Sequence, residues 1–470
     1  MNLKPPKQPA SVPADILQLE KMMKAGAFAQ AEAPARKAAK KYPRVPIVQM
    51  MLGISLAEQE KSEEALKQFH KVARLQPDNA DVWRNIGMLE QRARNFESAE
   101  KALLKAIAIN PKFGQAYTTI GAIYDGLGEQ QKALDAYYKA VELLPKTAAS
   151  HNNLLAQLEI TNDSDALEAA LENARKQIPG NAIVSYFEGI LAQRKGDLPT
   201  ARKQLEAVRF DLPPFRNRSI EVSRCGHLGR ICDKLGDYPA AFKYFQKCKS
   251  ILAQRAAELG YETEGYFKTI SRTLGYVEAR QFDAWKPYDL PDDVAPVFLI
   301  GFPRSGTTLL DTILRSHPDI EVVEEGPAVR DMMRALGEVN ENRNEALINM
   351  TAKQAEKLRN VYLTSLRKGI SGHGKIIIDK LPLNILHVPV ICRIFPNARF
   401  ILTLRHPADS VLSNYMQAFD QNQAMAVMNK LSTAAQFYDL AMRIWEASLP
   451  LIGDNFVESR YEDLVDDMQT

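Results

Sequence analysis

Cysteine is scarce in this chain: four in 470 residues, at Cys225, Cys232, Cys248 and Cys392. None stands in a Cys-x-x-Cys or paired Cys/His spacing, so a metal ribbon or a disulfide framework is excluded and reduced core thiols are expected. An excess of one charge is missing too. Lys and Arg number 60 against 57 Asp and Glu, a formal +3. So small a charge does not point to general nucleic-acid binding, and any basic site has to be local. No run of about 18 apolar residues occurs, and the opening stretch MNLKPPKQPASVPADI has no apolar core. Neither a membrane span nor a signal peptide is therefore expected, and a cytoplasmic location is the default. What remains is an ordinary soluble mixture, 46% hydrophobic and 25% charged, in a chain too long for one core. Two or more domains are expected.

Prolines stand at 43, 77, 111, 145, 179 and 213, each 34 residues after the last. Gly53, Gly87, Gly121 and Gly189 follow four of them by ten positions, and Ala31, Ala65, Ala99, Ala133 and Ala201 share the lattice. Small residues let paired helices approach closely, Trp83, Tyr117 and Tyr124 supply bulk, and proline closes the second helix. This period resembles the tetratricopeptide repeat, with about six units over residues 12–215. The unit from 148 departs from it: Leu155 and Leu167 replace small residues, and TNDSDA reads as an altered turn. Residues 216–285 keep a helical pattern off the lattice and read as an irregular cap. Residues 286–295 read as a linker. Such an array offers a groove for a protein or peptide and carries no chemistry itself.

From 296 onward the pattern alternates. VFLIG, IEVVE, KIIID and RFILTL are strand-like, with helical stretches between them. The fold class expected is therefore an α-solenoid followed by an α/β domain with a parallel sheet and helices on both faces. Gly301 and Gly306 in GFPRSGTT have the spacing of the phosphate-binding P-loop, but Thr307 holds its lysine position. Backbone N–H groups there, a helix N-terminus, the Thr307 and Thr308 hydroxyls and the Arg304 fork make an anion cradle. The same spacing also occurs in a glycine-rich turn without a ligand. Further on, LRHPADSVLS places Arg405 at a strand end and Ser413 eight residues later on a helix.

Together these motifs resemble those of sulfotransferases that use 3'-phosphoadenosine 5'-phosphosulfate (PAPS). PRSGTTLLDTILRSHPDIEVVEE, DKLPLN, FPNARFILTLRHP and YEDLV follow one another in the order found in tetratricopeptide-containing sulfotransferases and the related tyrosylprotein sulfotransferases. The resemblance implies PAPS as co-substrate, no metal, and sulfuryl transfer to an acceptor hydroxyl, of protein tyrosine or a saccharide. It implies that Arg304, Ser305, Gly306, Thr307 and Thr308 hold the 5'-phosphosulfate, that Arg405 and Ser413 hold the 3'-phosphate, and that Tyr461 borders the nucleotide. It implies Glu325 as base, with Glu324 as the local rival, and Arg304 and Lys380 as charge stabilisers. Repulsion within the Glu324–Glu325 pair is expected to raise one of the two pKa values. His387 is expected on a helix beginning near Asn384. Because relatives continue beyond YEDLV, residues 296–470 read as a sulfotransferase domain incomplete at its C-terminus. Two rivals stay open: a non-catalytic adaptor with a degenerate nucleotide domain, and a P-loop kinase, which Thr307 and the lack of a strand-end aspartate other than Asp379 disfavour.

Overall fold

A computed structural model of the chain describes residues 13–209, 214–289, 295–339, 342–370, 372, 374 and 376–466. The chain forms two compact units, residues 1–210 and 211–470. In the first, helices pair into hairpins from Ala14–Lys24 with Phe28–Lys41 through to Ala182–Arg194 with Leu198–Ala207. The lattice residues explain the packing. A Cβ on Gly53, Gly87, Gly121 or Gly189 would lie 2.6–2.7 Å from Phe69, Leu103, Tyr137 or Leu205, in each case sixteen residues on. Each glycine thus lets a large side chain of the second helix rest on the backbone of the first. In the departing unit Leu155 takes that place, fully buried, between the regular helices Ala148–Ile160 and Ser164–Gln177. Six positions after the lattice proline, Trp83 Nε1 donates to the Pro77 carbonyl at 2.8 Å, and His151 Nε2 meets the Pro145 carbonyl at 2.7 Å. Each contact closes the entry to a hairpin.

Between the two helices of each hairpin one residue is left-handed: Gly26, Glu60, Arg94, Gly128, Asn162 and Gly196, again 34 apart. Only glycine adopts that conformation without a steric penalty. Nothing lies within 4 Å of a Cβ built on Gly128, so the cost of a side chain there is purely conformational. Gly128→Ala is expected to destabilise the array by about 1 kcal/mol, and Glu60→Gly to stabilise it by up to about that amount. Denaturant midpoints of the two variants check the opposite signs.

The second unit opens with α1 (Pro214–Lys234), α2 (Tyr238–Glu258) and α3 (Thr263–Glu278). A Cβ on Gly229 would meet Phe245, sixteen residues on, at 2.6 Å, so α1 and α2 keep the repeat's packing off the 34-residue register. This stretch, expected as an irregular cap, belongs to the same compact unit as the sheet. Ile270, Leu274 and Tyr276 of α3 enter the main core. Lys249 of α2, only 2% exposed, donates to the Gln417 carbonyl at 2.8 Å and lies 5.7–5.8 Å from the ring centroids of Tyr415 and Phe419. Burial pushes its pKa down to about 8. Of the segment read as a linker, 290–294 lie outside the described residues. Residues 286–289 are stapled to the domain: the Lys286 N–H donates to the Ile348 carbonyl at 3.1 Å, and Arg393 donates to the Lys286 carbonyl and lies over the Tyr288 ring.

The sheet has five parallel strands: β1 (Val297–Gly301), β2 (Ile320–Glu324), β3 (Ile376–Lys380), β4 (Arg399–Leu404) and β5 (Phe456–Arg460). Their order is β2-β3-β1-β4-β5. β5, missed in the sequence, reads as half-polar (FVESR) and lacks the β-branched run that marks the others. Alternation along the strands separates two faces. Phe298, Ile300, Val323 and Phe400 point into the larger core, with α5 (Ala328–Val339), α6 (Arg343–Ile348), α7 (Ala352–Arg367), α8 (Val388–Ile394) and α10 (Leu431–Ile452). Leu299, Val322 and Ile378 point the other way, onto Leu310 and Leu314 of α4 (Thr307–Arg315). The helix after β4 is α9 (Pro407–Met416). A 3-10 turn, Pro382–His387, precedes α8, so the helix expected from Asn384 starts tighter and earlier, and His387 sits at the junction. Among the described residues no helix is long and apolar enough to cross a membrane.

Candidate active site

β1 lies between β3 and β4, the two strands on either side being reached by opposite windings of the chain, and at such a switch point an open parallel sheet forms its ligand crevice, at the carboxyl ends of the strands. Every residue singled out from the motifs except Ser413 stands at or just beyond such an end. Residues 304–308 follow β1, Glu325 follows β2, Lys380 closes β3, Arg405 follows β4, Ser413 lies on α9 and Tyr461 follows β5.

The loop after β1 is held in a conformation few residues adopt: φ is +71° at Arg304 and +102° at Gly306. Gly306 caps α4 without a side-chain hydrogen bond, so among the described residues the first N–H groups of that helix are open to an anion. A Cβ on Gly306 would come within 2.7 Å of Tyr461 Cδ2, so this glycine makes room for the tyrosine. Above the same ring, 4.5 Å from its centroid, lies the guanidinium of Arg405. The two motifs touch directly. Arg405 Nη1 donates to the Arg304 carbonyl at 3.4 Å, Arg304 Nε donates to Ser413 Oγ at 3.1 Å, and Asn414 Nδ2 donates to the Pro303 carbonyl at 2.5 Å. Ser305 Oγ and Thr403 Oγ1 share a hydrogen bond of 2.6 Å that ties the loop to β4. The Ser305 hydroxyl therefore braces the cradle. Thr307 is buried and Thr308 exposed. Arg405 Nε is buried with no hydrogen-bond partner among the described residues, an orphan donor that an anionic group would satisfy.

A second cluster lies one strand over. Glu324 and Lys380 are register partners of β2 and β3. Lys380, 1% exposed, donates to Glu324 Oε1 at 2.6 Å and lies 4.0 Å from Asp311 Oδ2. Asp311 in turn accepts from Arg315 Nε at 2.5 Å. The Lys380 hydrogen bond holds the Glu324 carboxyl below its ordinary pKa, against a smaller opposing effect of burial. The repulsion expected from Glu325 does not raise Glu324: its shift is downward and is led by Lys380. Glu325 leaves the strand at φ +50°, with its N–H on the Lys380 carbonyl at 2.8 Å. Its side chain is exposed and makes no hydrogen bond or ion pair among the described residues.

Asp379 points to the opposite face of β3, 1% exposed, and accepts from the Tyr362 hydroxyl at 3.1 Å, while its Oδ1 has no partner among the described residues. Burial raises its pKa to about 7. Between the ordinary carboxylate value and about pH 7 the folded chain then binds a proton that the unfolded chain has lost. Stability falls as pH rises through that window and levels off above it. Asp379→Asn keeps the acceptor for Tyr362 and removes this loss. Its stability relative to the parent is expected to grow between pH 5 and pH 8, read by urea unfolding at the two pH values.

Thr403, Asp311 and Asn414 were not picked out in the sequence. Signals were there: one hydroxyl in RFILTL, one acid inside the apolar TTLLDTIL, and an amide beside Ser413. Each was too common a feature to separate from a solvated position.

Residues 296–470 match the sulfotransferase family. The tetratricopeptide repeat family is matched by residues 23–80, 50–112 and 84–148, and again by 222–251, the α1–α2 hairpin. Protein-tyrosine sulfotransferase 1 of Mus musculus is 27% identical over 161 residues, 32% of this chain and 43% of the relative. An uncharacterized protein of Aquifex aeolicus is 30% identical over 199 residues, 41% of this chain and 26% of the relative. The chain thus spans less than half the length of either. A tetratricopeptide repeat protein from Parabacteroides merdae, a solved structure, is 19% identical with a TM-score of 0.40, covering 50% of this chain and 91% of that one.

Proposed function

With a sulfotransferase-family domain over residues 296–470 and tetratricopeptide repeats before it, we propose that this chain transfers a sulfuryl group from PAPS to an acceptor hydroxyl, of a protein tyrosine or a saccharide. The observation that carries this reading is the direct contact between the two anion motifs, Arg304 on Ser413 and Arg405 on the Arg304 carbonyl. One nucleotide bearing phosphates at both ends of its ribose fits two adjoining anion sites. The donor set fits that group: free N–H groups at the start of α4, the Thr308 hydroxyl, the Arg304 and Arg405 forks with an orphan Nε, and the Tyr461 ring. When bound, PAPS supplies an activated sulfuryl group.

The chain's own residues divide the remaining work. Glu325, exposed and unpaired, takes the proton of the acceptor hydroxyl. Lys380 and Arg304 stabilise negative charge that develops on the leaving oxygen. Glu324 and Asp311 hold the Lys380 ammonium in place, deep in the sheet, so that little reorganisation is needed when that charge forms. The repeat array delivers a protein acceptor or a partner through its groove.

Incubation of the purified chain with ³⁵S-labelled PAPS and a host lysate tests the proposal. Label is expected in a macromolecular fraction, without added metal, and absent for Lys380→Met. Label in neither sample, although adenosine 3',5'-bisphosphate binds, would favour the adaptor reading.

A further inference from the structure

Away from the crevice, on the larger core face of the second unit, lies a cavity of about 700 Å³. Its size is that of a site for a small organic ligand. Ile270 of α3, Met333 of α5, Leu347 of α6 and Leu386 and Val390 around the start of α8 supply apolar walls. Four separate elements build it, so it belongs to the fold and is no single loop's accident. Its charges are one-sided. Arg272 of α3 and Arg343, the first residue of α6, both line it, and among the described residues no Asp or Glu does. Neither guanidinium makes a hydrogen bond or ion pair among the described residues. His387, also in the wall, is pushed down to about 4, by burial first and by Arg343 second, so it is uncharged at neutral pH. The Thr269 and Thr273 hydroxyls donate to backbone carbonyls of their own helix and leave their oxygens to solvent.

An apolar chamber with two cations that find no acid among the described residues asks for a ligand of matching character. Bare inorganic anions would leave the walls wet. A neutral hydrocarbon would leave the cations unpaired. We propose that this cavity binds an amphipathic carboxylate: an aliphatic body against Ile270, Met333, Leu386 and Val390, with its carboxylate between Arg272 and Arg343. Fork-shaped guanidinium groups suit a two-oxygen head. The site is separate from the anion cradle after β1 and does not depend on the sulfotransferase reading.

Calorimetric titration of the full chain, without nucleotide, tests it with decanoate, decanol and acetate as probes. Decanoate is expected to bind at one site, with acetate showing no heat and decanol at least about tenfold weaker. The double variant Arg272→Ala/Arg343→Ala, both at exposed positions, is expected to lose about tenfold or more in decanoate affinity while binding adenosine 3',5'-bisphosphate as the parent does. Met333→Trp, which fills the chamber, should abolish decanoate binding, with its melting temperature confirming the fold. Equal binding of decanol and decanoate, decanoate binding unchanged in the double variant, or no decanoate binding to the parent would each overturn the proposal.

Discussion

Arg405→Ala is expected to weaken binding of adenosine 3',5'-bisphosphate about 100-fold, the equivalent of one or two charge-assisted hydrogen bonds lost from a desolvated site. The side chain has a double placement. Its ring-facing side lies on Tyr461, 4.5 Å from the centroid, and one edge is fixed on the Arg304 carbonyl. Its Nε has no partner among the described residues. Tyr461 and the Arg304 carbonyl hold the fork before any ligand arrives, so little entropy is spent when it engages a phosphate. Arg405→Lys keeps the charge but loses the planar stack and the fork, and is expected to recover only a small part of the affinity. Titration calorimetry without metal reads both variants, with ATP–Mg²⁺ as comparison. Unchanged bisphosphate affinity in Arg405→Ala, or tight metal-dependent ATP binding in the parent, would remove the two-motif nucleotide site.

Glu325→Gln is expected to lower the rate of sulfate transfer about 1000-fold with bisphosphate affinity unchanged, since a general base contributes on the order of 10²–10⁴ in rate. Glu324→Gln is expected to cost much less. The two neighbours differ by their company. Glu324 spends its carboxylate on Lys380 at 2.6 Å and is acidified by it, which makes it a poorer base. Glu325 turns out of the strand at φ +50° with its carboxylate unengaged. A non-glycine residue in that conformation is strained, and strain of this kind concentrates where a side chain has to be aimed. Loss of Glu324 would still reduce the rate, because Lys380 would be left with the more distant Asp311. Should Glu324→Gln prove the more damaging, the proton would pass through the Lys380-bound carboxylate and the assignment would reverse. Single-turnover rates for both variants decide it.

The array was readable from sequence because its contacts are local and periodic. Glycine and its partner sit sixteen residues apart, and proline marks each end. The left-handed turn residues at Glu60 and Arg94 were hidden, since neither type advertises that conformation. In the second unit the four β-branched strands were legible and β5 was not. The motif residues were legible one by one, but their relations were not. That Tyr461 fills the space of a missing Cβ at Gly306, or that Lys380 pairs with Glu324, depends on strands brought together across dozens of residues. Spacing along the chain carries no record of such contacts. The loop hydroxyl of Ser305 shows the same limit: as a motif letter it reads as a ligand donor, and in the fold it braces Thr403.

Lys249 sets the scale on which the second unit can be handled. Its ammonium reaches from α2 to the Gln417 carbonyl just past α9, and Tyr266 of α3 packs edge-on to Phe437 at 5.7 Å. A gene fragment trimmed to residue 296, where the motifs begin, would strip both covers and bare Tyr415, Phe419 and Phe437 to water. Such a piece is expected to precipitate on expression, whereas one starting near 211 should stay monodisperse. Whoever wishes to graft this candidate site onto another scaffold has to carry the three helices along with it.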